Sequence, residues 1–352
     1  MATKQALQSS DISFLKIEGA FYVFDLRASS TSLTLPITDF WKYENPFPWI
    51  LSGQLAVVNE DHQSLDYGQT NKLITVPKKQ DPCISIFARL QNQLPLKDVQ
   101  SLWVGIPHPA ADIVAQAHNL KLNYSYPSYV KRNDKLAQKK LLADMTPDWR
   151  SVESFNDVLA ARESKDYTFL KRQHGSGGYA VFDITFTELD ELIERFVRDG
   201  HRWYLEKRVF GQAYSIQCMR YRQDGEVVIF GYCEQTIADD LHFVGAQVLP
   251  LAELPQAVEE QLLTGLEQLQ PLLEDFEGFF GVDFIVSEDD QVHILEANIR
   301  MTAMTIPVLV ANDRSLSRAY FLEDQKQENI TSGDLVLMED TVQKTADLLR
   351  SK

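Results

Sequence analysis

Apolar and polar positions alternate most sharply between Gly281 and Thr302, in GVDFIVSEDDQVHILEANIRMT. A period of two predicts a β-hairpin. Its arms, VDFIVS and VHILEAN, are rich in β-branched and apolar residues, and Glu288-Asp289-Asp290-Gln291 supplies the turn. Pairing Ser287 with Val292, through either a two-residue Asp289-Asp290 turn or the four-residue loop, sets Asp283 opposite Glu296. On that register Asp283 and Ile285 share a face with Ile294, Glu296, Asn298 and, if the strand continues, Arg300.

The rest of the chain arranges itself before this hairpin. Between about Phe21 and Val130, the short apolar runs AFYVF, LITVP, CISIFA and SLWVGIP read as strands. The last leads into a helix carrying Asp112, Ile113, Ala115, Gln116 and Ala117, with Asn119 as its stop. Strands alternating with helices predict an open, largely parallel sheet. The aromatic, proline-rich stretch from Asp39 to Ile50 reads as an irregular packed loop. Lys131 to Asp144 has helical spacing, with Asn133 as N-cap. A strand then ends in Lys171 and Arg172, a glycine-rich turn follows, and a second strand begins at Tyr179. A helix capped by Thr185 or Thr187 and stopped at Gly200 carries the stripe Leu189, Leu192, Ile193, Phe196 and Val197. Two strands flank a break at Phe210-Gly211-Gln212, and VVIFGYCEQ follows. Thr236 to Pro250 reads as a loop able to line a substrate site, and Pro255 opens a helix with Val258, Leu262, Leu266 and Leu269 inside, kinked or ended near Pro271.

Composition narrows the partners. A chain of 352 residues fits two or three domains, and 44% hydrophobic with 24% charged residues is ordinary for a water-soluble protein. A net charge of −16 argues against a general nucleic-acid binder. Cys83, Cys218 and Cys233 show no paired metal spacing and suggest buried thiols in a reducing compartment. The first residues lack an apolar signal core and no run has membrane-spanning length, so a cytoplasmic protein is expected.

Against that acidic background four places carry candidate chemistry. Like charges directly opposed in a ladder, roughly 5 Å apart, are destabilising unless something lies between them. Asp283 and Glu296 with the amide of Asn298 form either an oxygen set suited to Mg2+ or Mn2+ or the acids of a solvent-facing strand pointing into water. Five of the ten residues from Lys131 to Lys140 are basic; such a cluster usually marks a solvated face, but Lys135 falls in a first helical turn, where anions are already favoured. Lys171 precedes Gly175-Ser176-Gly177-Gly178, whose backbone can approach a phosphate closely. Glu206 precedes the break at Phe210, where exposed backbone could pair with the edge of a flat heterocycle and the carboxylate accept from its exocyclic amine. No G-x-G-x-x-G follows a strand and no Gly-Lys-Ser/Thr follows the glycine loop, which excludes the dinucleotide and Walker A fingerprints.

In this order, NDKLAQKKLL, FLKRQHGSGG, EKRV and ILEANIR resemble motifs of the ATP-grasp superfamily, as in D-alanine:D-alanine ligases and biotin carboxylases. The resemblance spans roughly Asn133 to Thr302. It implies an α/β protein in three parts: an N-terminal open parallel α/β domain (1–130), a linker helix with a small antiparallel α+β lid (131–208), and a C-terminal α+β subdomain with the metal site (209–352), ATP lying between the last two. Lys135 and Lys171 would bind ATP phosphates beneath the Gly175–Gly178 loop, Ser176 and Gly177 included. Glu206 and the backbone of Lys207 and Val209 would hold adenine. Asp283, Glu296 and Asn298 would bind Mg2+ or Mn2+, and Arg300, with Lys171, would serve the acyl-phosphate chemistry. The family's ribose-binding Glu is replaced by Ala213, with Gln212 as the neighbouring substitute, and a basic residue of some relatives is Gly281 here. Nothing after Ile306 resembles the carboxylase substrate segment, which argues against a biotin carboxylase. The implied activity is an ATP-dependent carboxylate–amine ligase acting on small molecules, amino acids among them, without nucleic acid or membrane partners and with a homodimer allowed. A small-molecule kinase and a non-catalytic nucleotide-binding module are the alternatives.

Overall fold

A computed structural model describes residues 2–8, 11–12, 20–23, 55–59, 72–76, 99–107, 109–175, 181–198, 202–221, 225–238, 241, 243–313, 315, 319–322 and 335–338. The first strand, β1 (Ala2–Lys4), does not join the sheet nearest in sequence; it runs parallel to a strand more than two hundred residues away. The next five are β2 (Ala20–Val23), β3 (Leu55–Asn59), β4 (Lys72–Val76), β5 (Ser101–Val104) and β6 (Lys121–Leu122). They form a sheet in the order β4-β3-β2-β5-β6 with every ladder parallel, as the strand–helix alternation predicts. β3 and β6 are additional to the strands read from the pattern, and the run CISIFA lies outside the described residues. The helix Pro109–Ala117 follows β5, and Asn119, at φ 52°, ends that turn in the left-handed region that Asn tolerates.

A second sheet holds β7 (Trp149–Val152), β8 (Phe169–Arg172), β9 (Val181–Asp183) and β10 (Trp203–Glu206), antiparallel in the order β7-β10-β8-β9. Alternation divides its two faces. Leu170, Trp203 and Leu205 are buried against Val158, Ala161 and Leu192 of the helices Phe155–Ser164 and Leu189–Arg198. Phe169, Lys171, Tyr204 and Glu206 take the other face. The second helix begins at Leu189, later than a cap at Thr185 or Thr187 requires, because Asp183 first closes its own turn onto the Thr185 and Thr187 amides. Only part of its apolar stripe is covered among the described residues: Leu192 is buried, while Leu189 and Ile193 stay exposed.

The largest sheet comprises β11 (Gly211–Arg220), β12 (Val227–Ile237), β13 (Phe243–Leu249), β14 (Gly278–Ser287), β15 (Val292–Asn298), β16 (Ala319–Leu322) and β17 (Leu335–Met338). Their order is β15-β14-β11-β12-β13-β16-β17, with β1 against β12. Within the Thr236–Pro250 stretch, expected as a loop, Thr236 and Ile237 end β12 and Phe243–Leu249 form β13, whose Ala246 and Val248 alternate inward against β12. The helix Gln256–Gln268 buries Val258, Leu262 and Leu266 under this sheet, each such side chain contributing roughly 1.5–3 kcal/mol. It ends before Pro271, which sits in the first turn of the short helix Gln270–Leu273. On the opposite face Val308 of the helix Thr305–Asp313 packs over Gly231.

The predicted hairpin forms, but its register is reached differently. The loop has three residues: Ser287 N–H donates to Gln291 O at 3.0 Å, with Asp290 at φ 59°. That pairs Val286 with Val292 and Phe284 with Ile294, one step off the expected count. A bulge at Leu295 then restores the count, so Asp283 does lie opposite Glu296. Ile294 is corrected by the same bulge, because it joins Phe284 in the core, away from Asp283.

Candidate active site

The helix Lys135–Leu142 is the bridge between the small sheet and the large one. Asn133 is not its N-cap, because it closes the preceding helix, Tyr126–Arg132. Asp134 takes the capping role, accepting from the Leu136 and Ala137 amides at 2.9 and 3.1 Å. The other Asp134 oxygen accepts from Gln173 Nε2 at 2.7 Å, and Lys135 N–H donates to Gln173 O. The helix start is thereby tied to the strand end that precedes the glycine-rich loop. Gly175 is described there; Ser176, Gly177 and Gly178 lie outside the described residues.

The basic cluster, spread over two helices, divides by burial. Lys131 and Lys140 are exposed, whereas Lys135 and Lys139, one turn apart, are buried. Lys135 pairs with Glu296. Lys139 pairs with Glu206, donates to Thr146 Oγ1 at 2.7 Å, and is 1% exposed. Lys171 pairs with the other Glu206 oxygen. Lys139 was missed as a site residue, although its i+4 spacing from Lys135 was a usable signal. Its presence adds to the picture of Glu206, whose two carboxylate oxygens each meet an ammonium group. Burial pushes the Glu206 carboxyl up, but Lys171 and then Lys139 outweigh it and hold the group below its ordinary range. Burial likewise lowers Lys139, against the opposing pull of Glu206.

On the hairpin, Asp283 accepts from Gln235 Nε2 at 3.0 Å and Asn298 Nδ2 at 2.9 Å, and Asn298 Nδ2 also reaches Glu296 at 3.2 Å. Loss of hydration, followed by the facing Glu296 charge, raises Asp283 to about 7. The same burial acts on Glu296, but Lys135 overcomes it and keeps Glu296 below its usual range. The Asn298 oxygen accepts from Arg300 Nη2 at 2.9 Å, and Arg300 Nη1 donates to Met301 O. Two buttressed carboxylates facing each other suit a hard cation whose remaining positions are filled by phosphate oxygens and water. Among the described residues no third His, Cys, Asp or Glu joins them as a metal cluster. The Asn298 nitrogen faces the two carboxylates, while its oxygen faces Arg300.

The connection between the sheets is Lys207 to Phe210. Lys207 N–H donates to Asp148 O at 2.9 Å, and Arg208 reaches Asp183 on β9 while its guanidinium lies 5.0 Å from the Phe169 ring centroid. Val209 is half-buried. β11 then begins at Gly211, where φ is 156° and an added Cβ would stand 2.1 Å from Val286 O. Gln212 lies on the Tyr214 side of β11, while Ala213 and Ser215 lie on the side of Asp283, so alternation turns Gln212 away from the acidic pair.

A four-stranded antiparallel lid, facing a larger, mostly antiparallel sheet across lysines and an acidic pair, defines the two-part clamp architecture of the ATP-grasp class. The sequence agrees, since residues 132–304 match the ATP-grasp domain family, and the chain carries an ATP-grasp domain. No curated protein matches it in sequence. Its fold is similar to a biotin carboxylase from Campylobacter jejuni in complex with β,γ-ATP (13% identity, TM-score 0.59, covering 86% of this chain and 72% of that one). It is also similar to an L-amino acid ligase from Bacillus licheniformis (11% identity, TM-score 0.53, covering 83% and 69%). A third similar structure is a carboxyaminoimidazole ribonucleotide synthase from Aspergillus clavatus complexed with ATP (12% identity, TM-score 0.54, covering 82% and 71%). Among the described residues no helix is long and apolar enough to cross a membrane.

Proposed function

We propose that this protein is an ATP-dependent ligase that joins a small carboxylic acid to an amine. The observation that carries the reading is the pairing of Lys135 from the bridging helix with Glu296 of the opposed Asp283–Glu296 pair, with Lys171 of the lid near enough for its charge to act on Glu296, within an ATP-grasp domain. ATP would lie between the 131–208 and 209–352 units, with Lys135, Lys171 and the Gly175–Gly178 loop on its phosphates. The backbone of Lys207 and Val209 would meet adenine at the hinge. Asp283 and Glu296 would hold Mg2+ or Mn2+, joined by Asn298 once its amide has turned over, and the bound metal would screen phosphate charge.

In the first step a substrate carboxylate oxygen attacks the γ-phosphorus and the bond to the β-phosphate oxygen breaks, giving an acyl phosphate and ADP. The amine then attacks the acyl carbon, orthophosphate leaves, and the amine gives up its proton. Lys171 would balance charge on the transferring phosphoryl group, and Arg300 would stabilise the acyl phosphate and the oxyanion that follows. The L-amino acid ligase similarity supports amino acids as the first substrates to try.

The test is a screen of amino acids and small carboxylates, each with and without an amine, for ATP-dependent orthophosphate release. Release requiring both substrates is expected. A stable phosphorylated product would make the protein a kinase instead. No turnover, together with no thermal stabilisation by Mg2+-ATP, would overturn the enzyme reading.

A further inference from the structure

β15 is an edge strand, yet it carries Glu296 and Asn298. An edge strand exposes a row of backbone N–H and C=O groups on its outer side, and nothing in the ladder itself holds that side in place. Here the outer side is occupied by two side-chain amides from the helix–helix junction that also carries Lys135. Gln138, 1% exposed, accepts from Ala297 N–H at 2.9 Å and donates to Ala297 O at 2.7 Å. Asn133 accepts from Ile299 N–H at 2.8 Å and donates to Ile299 O at 3.3 Å. Residues 297 and 299 are the alternate positions that a neighbouring strand would pair, so the two carboxamides stand where such a strand would run.

We infer that Gln138 and Asn133 are positioning residues for the metal-binding strand: they fix the backbone on which Glu296 and Asn298 sit and set its distance from Lys135. This rests on the reading of Asp283 and Glu296 as the Mg2+ site. Three observations carry it. The clamped residues, Ala297 and Ile299, alternate with the functional ones, Glu296 and Asn298. Gln138 and Asn133 bracket Lys135 on one short run, so a single rigid piece carries both clamps and the lysine that meets Glu296. The bulge at Leu295 lies immediately before the clamped segment, where the β14 ladder controls β15 least. Partners that orient a ligand from behind typically change metal affinity 10–100-fold when they are removed.

The experiment compares the unaltered chain with Gln138→Met, which has similar length and no hydrogen bonds, and Gln138→Glu, which keeps the acceptor for Ala297 N–H. Two quantities are read: hydrogen exchange at the Ala297 and Ile299 amides in the metal-free protein, and the Mg2+ concentration dependence of ADP binding by calorimetry, with ADP alone as control. For Gln138→Met we expect faster exchange at Ala297 and a Mg2+ midpoint raised about tenfold, with binding of ADP alone within about twofold. Gln138→Glu should shift the midpoint less, and it remains readable if the methionine variant does not melt cooperatively. Faster exchange at Ala297 with an unchanged Mg2+ midpoint would overturn the inference, leaving the amides as edge covers only. If the unaltered chain shows no Mg2+ dependence of ADP binding, the metal-site reading falls, and this inference with it.

Discussion

Two residues decide most of the charge arrangement in the cleft. Lys139 and Glu206 are each 1% exposed, and a buried ion loses far more hydration than a surface pair returns. Replacing Lys139 with Met leaves Glu206 with Lys171 alone, so we expect a loss of about 2 kcal/mol in urea unfolding. Adding Glu206→Gln should recover part of that loss, because the uncompensated charge is then gone. Asp283 sets the pH behaviour. Its folded carboxyl titrates near 7, above its unfolded value, so the folded state keeps a proton that the unfolded chain has released. Stability from this group falls as pH rises from the ordinary aspartate range to about 7 and stays lost above it. A cation at Asp283 displaces that proton, so the melting shift given by Mg2+-ADP should be larger at pH 8 than at pH 6. Equal shifts would remove Asp283 from the metal set. Asp283→Asn or Glu296→Gln should abolish turnover while cooperative melting is retained.

At the scale of elements, the hairpin and the hinge show how far a pattern can be trusted. The Asp283–Glu296 pair was legible because alternation survives one loop change and one bulge that offset each other. The core placement of Ile294 was not, since a bulge is a ladder irregularity and leaves no mark in the period. The bridging helix was legible in extent but not at its cap, because Asn133 and Asp134 are both good capping residues, and Asn133 is taken up closing the preceding helix while Gln173 docks on Asp134. Gly211 is the fixed point of the connection between the two sheets. An alanine there must adopt φ near 156° and meet Val286 O, so Gly211→Ala should cost about 2 kcal/mol or more in thermal unfolding.

Across the whole molecule, three sheets divide the work. The segment after β5 of the parallel sheet holds Met301 through Gly105 O, the four-stranded lid brings Lys171 and Glu206, and the large sheet brings the acidic pair. The bridging helix supplies Lys135 to one and Lys139 to the other. A ligand that joins both walls binds only the folded, assembled cleft. Mg2+-ATP should therefore raise the melting temperature, by the equivalent of about 2.7 kcal/mol at a hundred times its dissociation constant.

The sequence by itself determined the elements whose residues carry a local period or a local charge conflict: the parallel N-terminal sheet, the acidic hairpin, and the Lys171 and Lys135 positions. Those signals are local because alternation, capping and like-charge opposition act over a few residues. Only the tertiary structure decided which lysine meets which carboxylate. It made Glu206 the shared counter-ion of Lys139 and Lys171, and it set Gln138 and Asn133 against the edge of β15. These partners are separated by tens to more than a hundred residues, and ion pairing and edge satisfaction depend on distance in space, which periodicity along the chain does not encode.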